Sequence, residues 1–149
     1  MRIIFVGAGS GGHFYPLIAI AEALRERDRE LKTSTELYYM GPEAYNQKSL
    51  DALGIKFVYC PAGKQRLYRS VLNFTDKFKI LVGIFVAFWK LYFLYPDAVM
   101  SKGSYGSVPV VLAAWLLRIP IVMHESDAVP GRANSFAAKF AKYIGVAHD

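Results

Sequence analysis

The sequence predicts an α/β fold of the doubly wound, Rossmann-like kind. Short apolar runs bounded by turn residues alternate with helical patterns along all 149 residues. The connections are short, and no internal repeat or linker divides the chain, so we expect one domain spanning residues 1–149. Regular alternation of this kind favours parallel strands joined by right-handed crossovers, with helices covering both faces of the sheet.

Six strands are predicted by apolar runs that end at turn residues. They cover residues 2–6, 36–40, 56–60, 98–101, 121–124 and 143–146. Five helices are predicted between them, over residues 16–29, 43–53, 74–95, 108–117 and 131–142. The first helix has Leu17, Ile20, Ala21 and Leu24 on one face, which indicates packing on the sheet. We expect it to begin at Pro16, since a first-turn proline lacks only an N–H group that would be unpaired anyway.

A glycine-rich stretch, G-A-G-S-G-G-H, follows the first strand at residues 7–13. Its glycine spacing matches the dinucleotide fingerprint, but residues 38–41 lack the acid that would bind a ribose. Its spacing also approaches that of a phosphate-binding P-loop, but His13 and Phe14 replace the lysine and the hydroxyl residue. What remains is a loop whose backbone N–H groups approach an anion at the start of a helix.

Two further strand ends carry polar residues. S-K-G-S-Y-G-S follows the fourth strand at residues 101–107, and H-E-S-D follows the fifth at residues 124–127. Ligands of doubly wound sheets bind at the carboxyl ends of strands, so we expect all three segments at one edge. Two glycine-serine loops side by side would suit a diphosphate. Alternatively the glycines only form tight turns.

Three kinds of catalytic chemistry can be considered. His13 would face the loop's ligand and could act as a general base, although it could instead only hydrogen-bond the loop. Ser10, Asp97 and His124 follow the Ser-acid-His order of a hydrolase, a competing interpretation. Residue 128 is alanine, which excludes the H-E-x-x-H zinc motif, and no metal cluster is evident.

A basic segment precedes a long apolar run. The chain's net charge of +6 suits an anionic partner, whether nucleic acid, phospholipid or phosphorylated substrate. Residues 56–79 hold six bases and one acid, and Lys90 is the only charge in residues 80–95. That run is shorter than the roughly 20 residues that a spanning helix needs. It predicts either a core helix or an interfacial helix on an anionic membrane, although a partner subunit could cover the same surface.

The compartment is indicated by two observations. Cys60 is the only cysteine, so no internal disulfide can form, which fits a reducing environment. The apolar run near the N-terminus is too short for the core of a signal peptide, so nothing in it directs secretion.

Two stretches of the sequence carry a family resemblance. Residues 7–24 read G-A-G-S-G-G-H-F-Y-P-L-I-A-I-A-E-A-L, and residues 101–134 read S-K-G-S-Y-G-S-V-P-V-V-L-A-A-W-L-L-R-I-P-I-V-M-H-E-S-D-A-V-P-G-R-A-N. Both closely resemble the N-terminal domain of the MurG family. The likeness spans essentially the whole chain. Members are GT-B glycosyltransferases that move N-acetylglucosamine from UDP-GlcNAc to the polyprenyl-linked acceptor lipid I, which makes lipid II for peptidoglycan.

The resemblance implies a role for each matching position. His13 would be the catalytic base for the acceptor hydroxyl. The acceptor diphosphate would be bound by Ser10, Gly11, Gly12, Gly103, Ser104, Tyr105 and Gly106. The cleft would be lined by His124, Glu125, Asp127 and Asn134. The membrane patch would comprise Arg66, Arg69, Lys77, Lys79, Phe85, Phe88 and Trp89. No metal, cofactor or nucleic acid is implied, and the location would be the cytoplasmic face of the plasma membrane.

Two departures from the family pattern affect these expectations. The family usually has H-E-Q-N where this chain has H-E-S-D, so Asp127 replaces an amide expected to contact the donor sugar. In the family a UDP-sugar domain follows after about this point, and we expect it to be missing here, so the chain alone would be inactive. It is either part of a two-domain enzyme or one subunit of a split transferase for another lipid-linked glycan. A dinucleotide-binding module is the remaining alternative.

Overall fold

The computed structural model describes residues 1–7, 9–63, 72–126 and 131–146. Its strands are β1 (Arg2–Gly7), β2 (Glu36–Gly41), β3 (Ile55–Tyr59), β4 (Ala98–Gly103), β5 (Ile121–Glu125) and β6 (Tyr143–Val146). Its helices are α1 (Gly11–Leu31), α2 (Gln47–Ala52), α3 (Leu72–Leu94), α4 (Val108–Leu116) and α5 (Arg132–Ala138). Every described strand coincides with a predicted one to within a few residues.

All strand pairs in the sheet are parallel, in the order β3-β2-β1-β4-β5-β6. The chain therefore builds outward from β1 to β3, returns through α3, and continues on the other side of β1 with β4. The order reverses between β1 and β4, where doubly wound sheets have their binding crevice. The predicted fold class is confirmed.

Each face of the sheet packs against its own set of helices, because side chains alternate along a strand. Ile3 and Phe5 of β1 belong to the core beneath α1 and α2, together with Phe14 and Leu17 of α1. The neighbouring residues Ile4 and Val6 point to the opposite core, which α3, α4 and α5 cover. This two-sided cover leaves the carboxyl edge of β1, β4 and β5 to the loops.

The start of α1 differs from the prediction. The helix begins at Gly11, and the backbone N–H groups of His13 and Phe14 both donate to the carbonyl of Ser10 at 3.2 Å. Pro16 is thus the sixth helical residue and lies outside the first turn. Its ring removes one donor in the second turn, and the long buried face of α1 stabilises the helix despite that loss. As a result, the last glycines of the loop are part of the helix.

Two other helices are shorter than predicted. The side chain of Asn46 accepts the N–H of Ser49 at 3.3 Å and so begins α2 at Gln47. The α5 helix ends at Ala138, and the next backbone N–H groups form tighter turns to residues three positions back. The N–H of Lys142 then donates to the carbonyl of Ile121, which directs the chain into β6.

The α3 helix is partly buried and partly exposed. Gly83, Ala87 and Leu91 lie on its buried side, which packs against α4. The other side carries exposed side chains that we call the apolar face: Phe78, Leu81, Val82, Phe85, Trp89, Tyr92 and Phe93. A core helix accounts only for the buried side. In the part of the chain that the structure describes, no helix combines the length and the apolar character that spanning a bilayer requires.

Candidate functional site

The three polar segments singled out in the sequence meet at the carboxyl edge of the sheet. The first glycine loop (residues 9–12) follows β1, the second glycine loop (residues 103–106) follows β4, and His124 and Glu125 end β5. These three strands are adjacent and parallel, so their ends share one edge. The expectation of a common edge is confirmed.

The two glycine loops touch through Gly9 and Tyr105. Gly9 has a φ angle of +91°, and a Cβ atom added there would lie 2.9 Å from Cε1 of the Tyr105 ring. A side chain at this position would be strained by the backbone conformation and would collide with the ring. Glycine is therefore required where the first loop receives the aromatic residue of the second.

The second glycine loop is also joined to the end of β5. Gly103 has a φ angle of +90°, and the Asn134 amide occupies the space of its missing side chain, with Oδ1 only 1.4 Å from an added Cβ atom. The same amide donates from Nδ2 to Glu125 Oε2 at 2.6 Å. Asn134 and Glu125 are both buried. A charged hydrogen bond inside the protein thus holds α5, β4 and β5 in one arrangement.

Two histidines lie at this edge with unused ring nitrogens. Nδ1 of His13 and Nδ1 of His124 are both buried and have no hydrogen-bond partner among the described residues. Burial lowers the pKa of His124, and the nearby positive charge of Lys102 lowers it further, while Glu125 opposes both effects. His124 is therefore held in its neutral form over a wider pH range than an ordinary histidine.

Aromatic residues border the start of α1. A Cβ atom added to Gly11 would lie 3.1 Å from both the Tyr15 ring and the Tyr45 hydroxyl group. These two tyrosines are about half exposed, and their rings meet edge to face with centroids 6.1 Å apart. Tyr45 has a φ angle of +22°, which is uncommon for a bulky residue. Sequence reasoning missed this pair because Tyr45 approaches Tyr15 only through the fold.

The hydrolase interpretation is wrong. Asp97 precedes β4, and its carboxylate accepts the backbone N–H of Arg2 at 2.6 Å. It therefore lies at the amino edge of the sheet, one strand length from Ser10 and His124, and no triad can form. Among the residues that the structure describes, no group of three or more His, Cys, Asp or Glu side chains could hold a metal ion.

Comparison with protein families identifies this architecture. The model of the glycosyltransferase family 28 N-terminal domain matches residues 3–146, which includes all three strand-end segments. The chain belongs to this family. The resemblance drawn from the motifs is confirmed.

Two curated relatives of this family-28 chain carry the same enzyme name. A Treponema pallidum protein named UDP-N-acetylglucosamine--N-acetylmuramyl-(pentapeptide) pyrophosphoryl-undecaprenol N-acetylglucosamine transferase is 41% identical over 147 residues, which is 98% of this chain and 37% of that protein. A Borrelia garinii protein of the same name is 39% identical over 96% of this chain and 39% of its own length. The chain spans about two fifths of the length of the curated relatives it matches.

A solved structure supports the same assignment. The crystal structure of Acinetobacter baumannii MurG matches with a TM-score of 0.80 and 28% identity, over 99% of this chain and 42% of that protein. A UDP-GlcNAc 2-epimerase from Methanocaldococcus jannaschii shares the fold, with a TM-score of 0.65 and 12% identity over 97% of this chain and 38% of that one. Both structures share the fold of this chain over nearly all of its residues.

The remaining predicted site residues of this family-28 domain differ in their exposure to solvent. Ser10 and Gly12 are exposed at the first loop, and Ser104 is half-buried in the second, with a φ angle of +78°. Phe88 is half-buried and packs against the core, so it lies beside the apolar face and not within it. Arg66, Arg69 and Asp127 lie outside the described residues.

Proposed function

We propose that this chain is the acceptor-binding, N-terminal part of an inverting hexosyltransferase. It would take N-acetylglucosamine from UDP-GlcNAc and attach it to a polyprenyl-diphosphate-linked sugar, in the manner that the relatives' names describe. The observation that carries this proposal is the contact between Gly9 and the Tyr105 ring. It joins the two glycine loops, each of which leads into a helix, into one cradle, so that backbone N–H groups of both loops could approach one diphosphate.

The cradle has exposed backbone at the start of α1. Ser10 and Gly12 are exposed, and a Cβ atom added to Gly12 would meet only Ser10 Oγ, at 3.8 Å. The first N–H groups of a helix lack partners within the helix, and the helix dipole places partial positive charge there. An anion can therefore approach this backbone closely, which suits the diphosphate of a lipid-linked acceptor.

His13 supports a mechanism of direct displacement. Its buried Nδ1 has no hydrogen-bond partner among the described residues, so its ring retains an unused hydrogen-bonding atom at the edge. His13 takes the proton of the acceptor hydroxyl as the hydroxyl oxygen bonds to the anomeric carbon. The bond from that carbon to UDP breaks on the opposite side, which inverts the configuration and releases UDP.

The apolar face of α3 supports docking to the cytoplasmic leaflet of a membrane. Phe85 and Phe93 are 65% and 76% exposed, and the rings of Trp89 and Phe93 stack with centroids 6.0 Å apart. Lys77 and Lys79 are exposed near the start of the same helix. Aromatic residues combined with basic ones suit an anionic membrane surface, which is where the lipid tail of the acceptor resides.

The UDP-GlcNAc donor would be bound by a further domain or by a partner chain. The relatives are more than twice as long as the part that this chain matches. We therefore assign residues 1–149 to the acceptor half and expect no sugar transfer from this half alone. The proposed partners are a lipid-linked acceptor, a donor-binding half and an anionic membrane, without nucleic acid.

Calorimetric titration of the purified chain tests the proposal. We expect saturable binding of farnesyl diphosphate, no binding of NAD, and no turnover of UDP-GlcNAc with a lipid-linked acceptor. Addition of a donor-binding half from a relative should produce transfer. Saturable NAD binding without farnesyl diphosphate binding would instead identify a dinucleotide module, and turnover by the chain alone would disprove the division into halves.

A further inference from the structure

Lys102 is a buried cation that the proposed function leaves unexplained. It is only 1% exposed, which is rare for lysine. It lies immediately before Gly103 at an irregularity in strand pairing. Val6 of β1 pairs with Ser101 and the next residue, Gly7, pairs with Gly103, so Lys102 is an extra residue between them. Such bulges redirect side chains and are common next to active sites.

The position of Lys102 is on the side of the sheet that carries α1. Met100, two residues earlier in β4, packs against the core beneath α1. On β5, Met123 points to the opposite core, so the next residue, His124, faces the α1 side. The positive charge of Lys102 reaches His124, since it lowers the pKa of that residue. Lys102 and His124 therefore lie near each other on the α1 side of the sheet.

The Lys102 ammonium group lacks a neutralising partner. Among the described residues, no hydrogen bond or ion pair of this group is found. The Glu125 carboxylate, which is near enough to influence His124, is instead hydrogen-bonded by Asn134. Because protein surrounds nearly all of the Lys102 side chain, an anion bound next to its ammonium group would be only weakly screened by water.

We propose that Lys102 is the buried cation of the acceptor site and pairs with the diphosphate held between the two glycine loops. This inference rests on the proposed function and deepens it. The backbone N–H groups and the dipole of α1 supply partial positive charge. Lys102 supplies a full charge whose burial strengthens its attraction to a phosphate. UDP carries a diphosphate too, but the loops that adjoin Lys102 are those assigned to the lipid-linked acceptor.

The test compares the full chain with Lys102→Met, which removes the charge and keeps the length of the side chain. Lys56→Met is the matched control, since Lys56 is an exposed cation of β3 on the far side of β2. Titration with farnesyl diphosphate should show affinity weaker by roughly tenfold to a hundredfold in Lys102→Met. It should be unchanged in the control. Without ligand, Lys102→Met should melt at about the same temperature as the wild type or higher, because the change removes no ion pair of the described residues and keeps the length of the side chain.

The outcomes separate this inference from the proposed function. Wild-type chain that does not bind farnesyl diphosphate would overturn both. Binding that Lys102→Met leaves unchanged would overturn the role of Lys102 alone. If the wild-type chain binds UDP, contrary to the division into halves, and Lys102→Met loses that binding but retains farnesyl diphosphate binding, Lys102 belongs to the donor and the inference is overturned. If Lys102→Met and a second variant, Lys102→Gln, both melt well below wild type, Lys102 is a structural residue and the inference is wrong.

Discussion

The ring of Tyr105 lies against the backbone of Gly9, and this contact brings together two loops that are almost a hundred residues apart in the chain. It exists because β1 and β4 are neighbours in the sheet although β2 and β3 lie between them in sequence. Gly12, three residues later, has no such contact, because a Cβ atom added there would meet only Ser10 Oγ at 3.8 Å.

Gly9→Ala and Gly12→Ala should have opposite effects on stability. Alanine at Gly9 must adopt a φ angle of +91° against the Tyr105 ring, so the free energy of unfolding should fall by about 2 kcal/mol. Alanine at Gly12 meets only ordinary contacts in a helical turn and should raise it by about 0.5 kcal/mol. Both variants should bind farnesyl diphosphate more weakly, the second because its methyl group occupies the anion's space.

Urea unfolding followed by circular dichroism measures the stability difference, and calorimetry measures binding. Equal stability of Gly9→Ala and wild type would show that the tyrosine contact does not constrain the loop. Undiminished binding by the stable Gly12→Ala variant would contradict the proposed approach of the anion to the start of α1.

Asn134→Ala should destabilise the chain by about 2 kcal/mol. The change removes the 2.6 Å hydrogen bond to the buried Glu125 carboxylate and leaves a void next to Gly103. Urea unfolding provides the measurement, and Ser135→Ala serves as control because Ser135 is the exposed neighbour on the same helix. A variant within 0.5 kcal/mol of wild type, roughly the range of surface substitutions, would mean that the amide does not support the edge.

Lys102→Met should raise the pKa of His124. Burial lowers that pKa first and Lys102 second, so removal of the lysine charge leaves only burial, opposed by Glu125. The histidine ring proton followed by NMR against pH gives the value, and His124→Gln identifies the signal. If the pKa of His124 is the same in Lys102→Met as in wild type, the lysine charge lies too far from the imidazole ring to influence it, which would contradict the structure.

The same shift predicts how stability depends on pH. The unfolded chain protonates this histidine near its ordinary pKa of about 6.5, whereas the folded chain resists protonation. The contribution of His124 is therefore fully present above about pH 6.5 and is lost as the pH falls towards the lower pKa of the folded state. His124→Gln should lose less stability than wild type between pH 7.5 and pH 5.5, and an identical loss would exclude His124 as a source.

Neutralisation of the α3 lysines should weaken binding to anionic vesicles. Each exposed lysine near such a surface contributes about 1 kcal/mol, so Lys77→Gln with Lys79→Gln should reduce binding roughly thirtyfold. Co-sedimentation with phosphatidylserine vesicles gives the affinity. The control pair, Lys48→Gln with Lys56→Gln, removes two exposed cations outside α3. If both double variants weakened vesicle binding equally, the attraction would depend only on the net charge of the chain and not on the position of the lysines.

His13→Gln should slow sugar transfer without loss of acceptor affinity. In an enzyme that combines this chain with a donor-binding half, loss of a general base should lower kcat by about a hundredfold to ten-thousandfold. Steady-state kinetics and a separate titration with the acceptor distinguish the two effects. Glu22→Gln, an exposed change on the same helix, is the control. An unchanged kcat would remove His13 from the role of base.

Local patterns in the sequence determined the strands, the single sheet and the presence of three polar strand ends. Alternating apolar runs and glycine turns depend on near neighbours, so Val6 before the first glycine loop and Ser101 before the second could be recognised as strand ends. The family resemblance followed from the same segments. The start of α1 differs from the prediction because a proline can also lie inside a helix, and here the backbone at Ser10, not Pro16, begins it.

Only the tertiary structure decided which of these residues meet. Asp97 lies at the opposite edge from Ser10 because β4 runs parallel to β1. Lys102 is buried because the pairing of β1 with β4 leaves one residue unmatched, and no local pattern announces such a bulge. Tyr105 reaches Gly9 because β1 and β4 are neighbours in the sheet. Strand pairing across long stretches of chain is set by the packing of the whole domain, so the chemistry that depends on it could be read only from the fold.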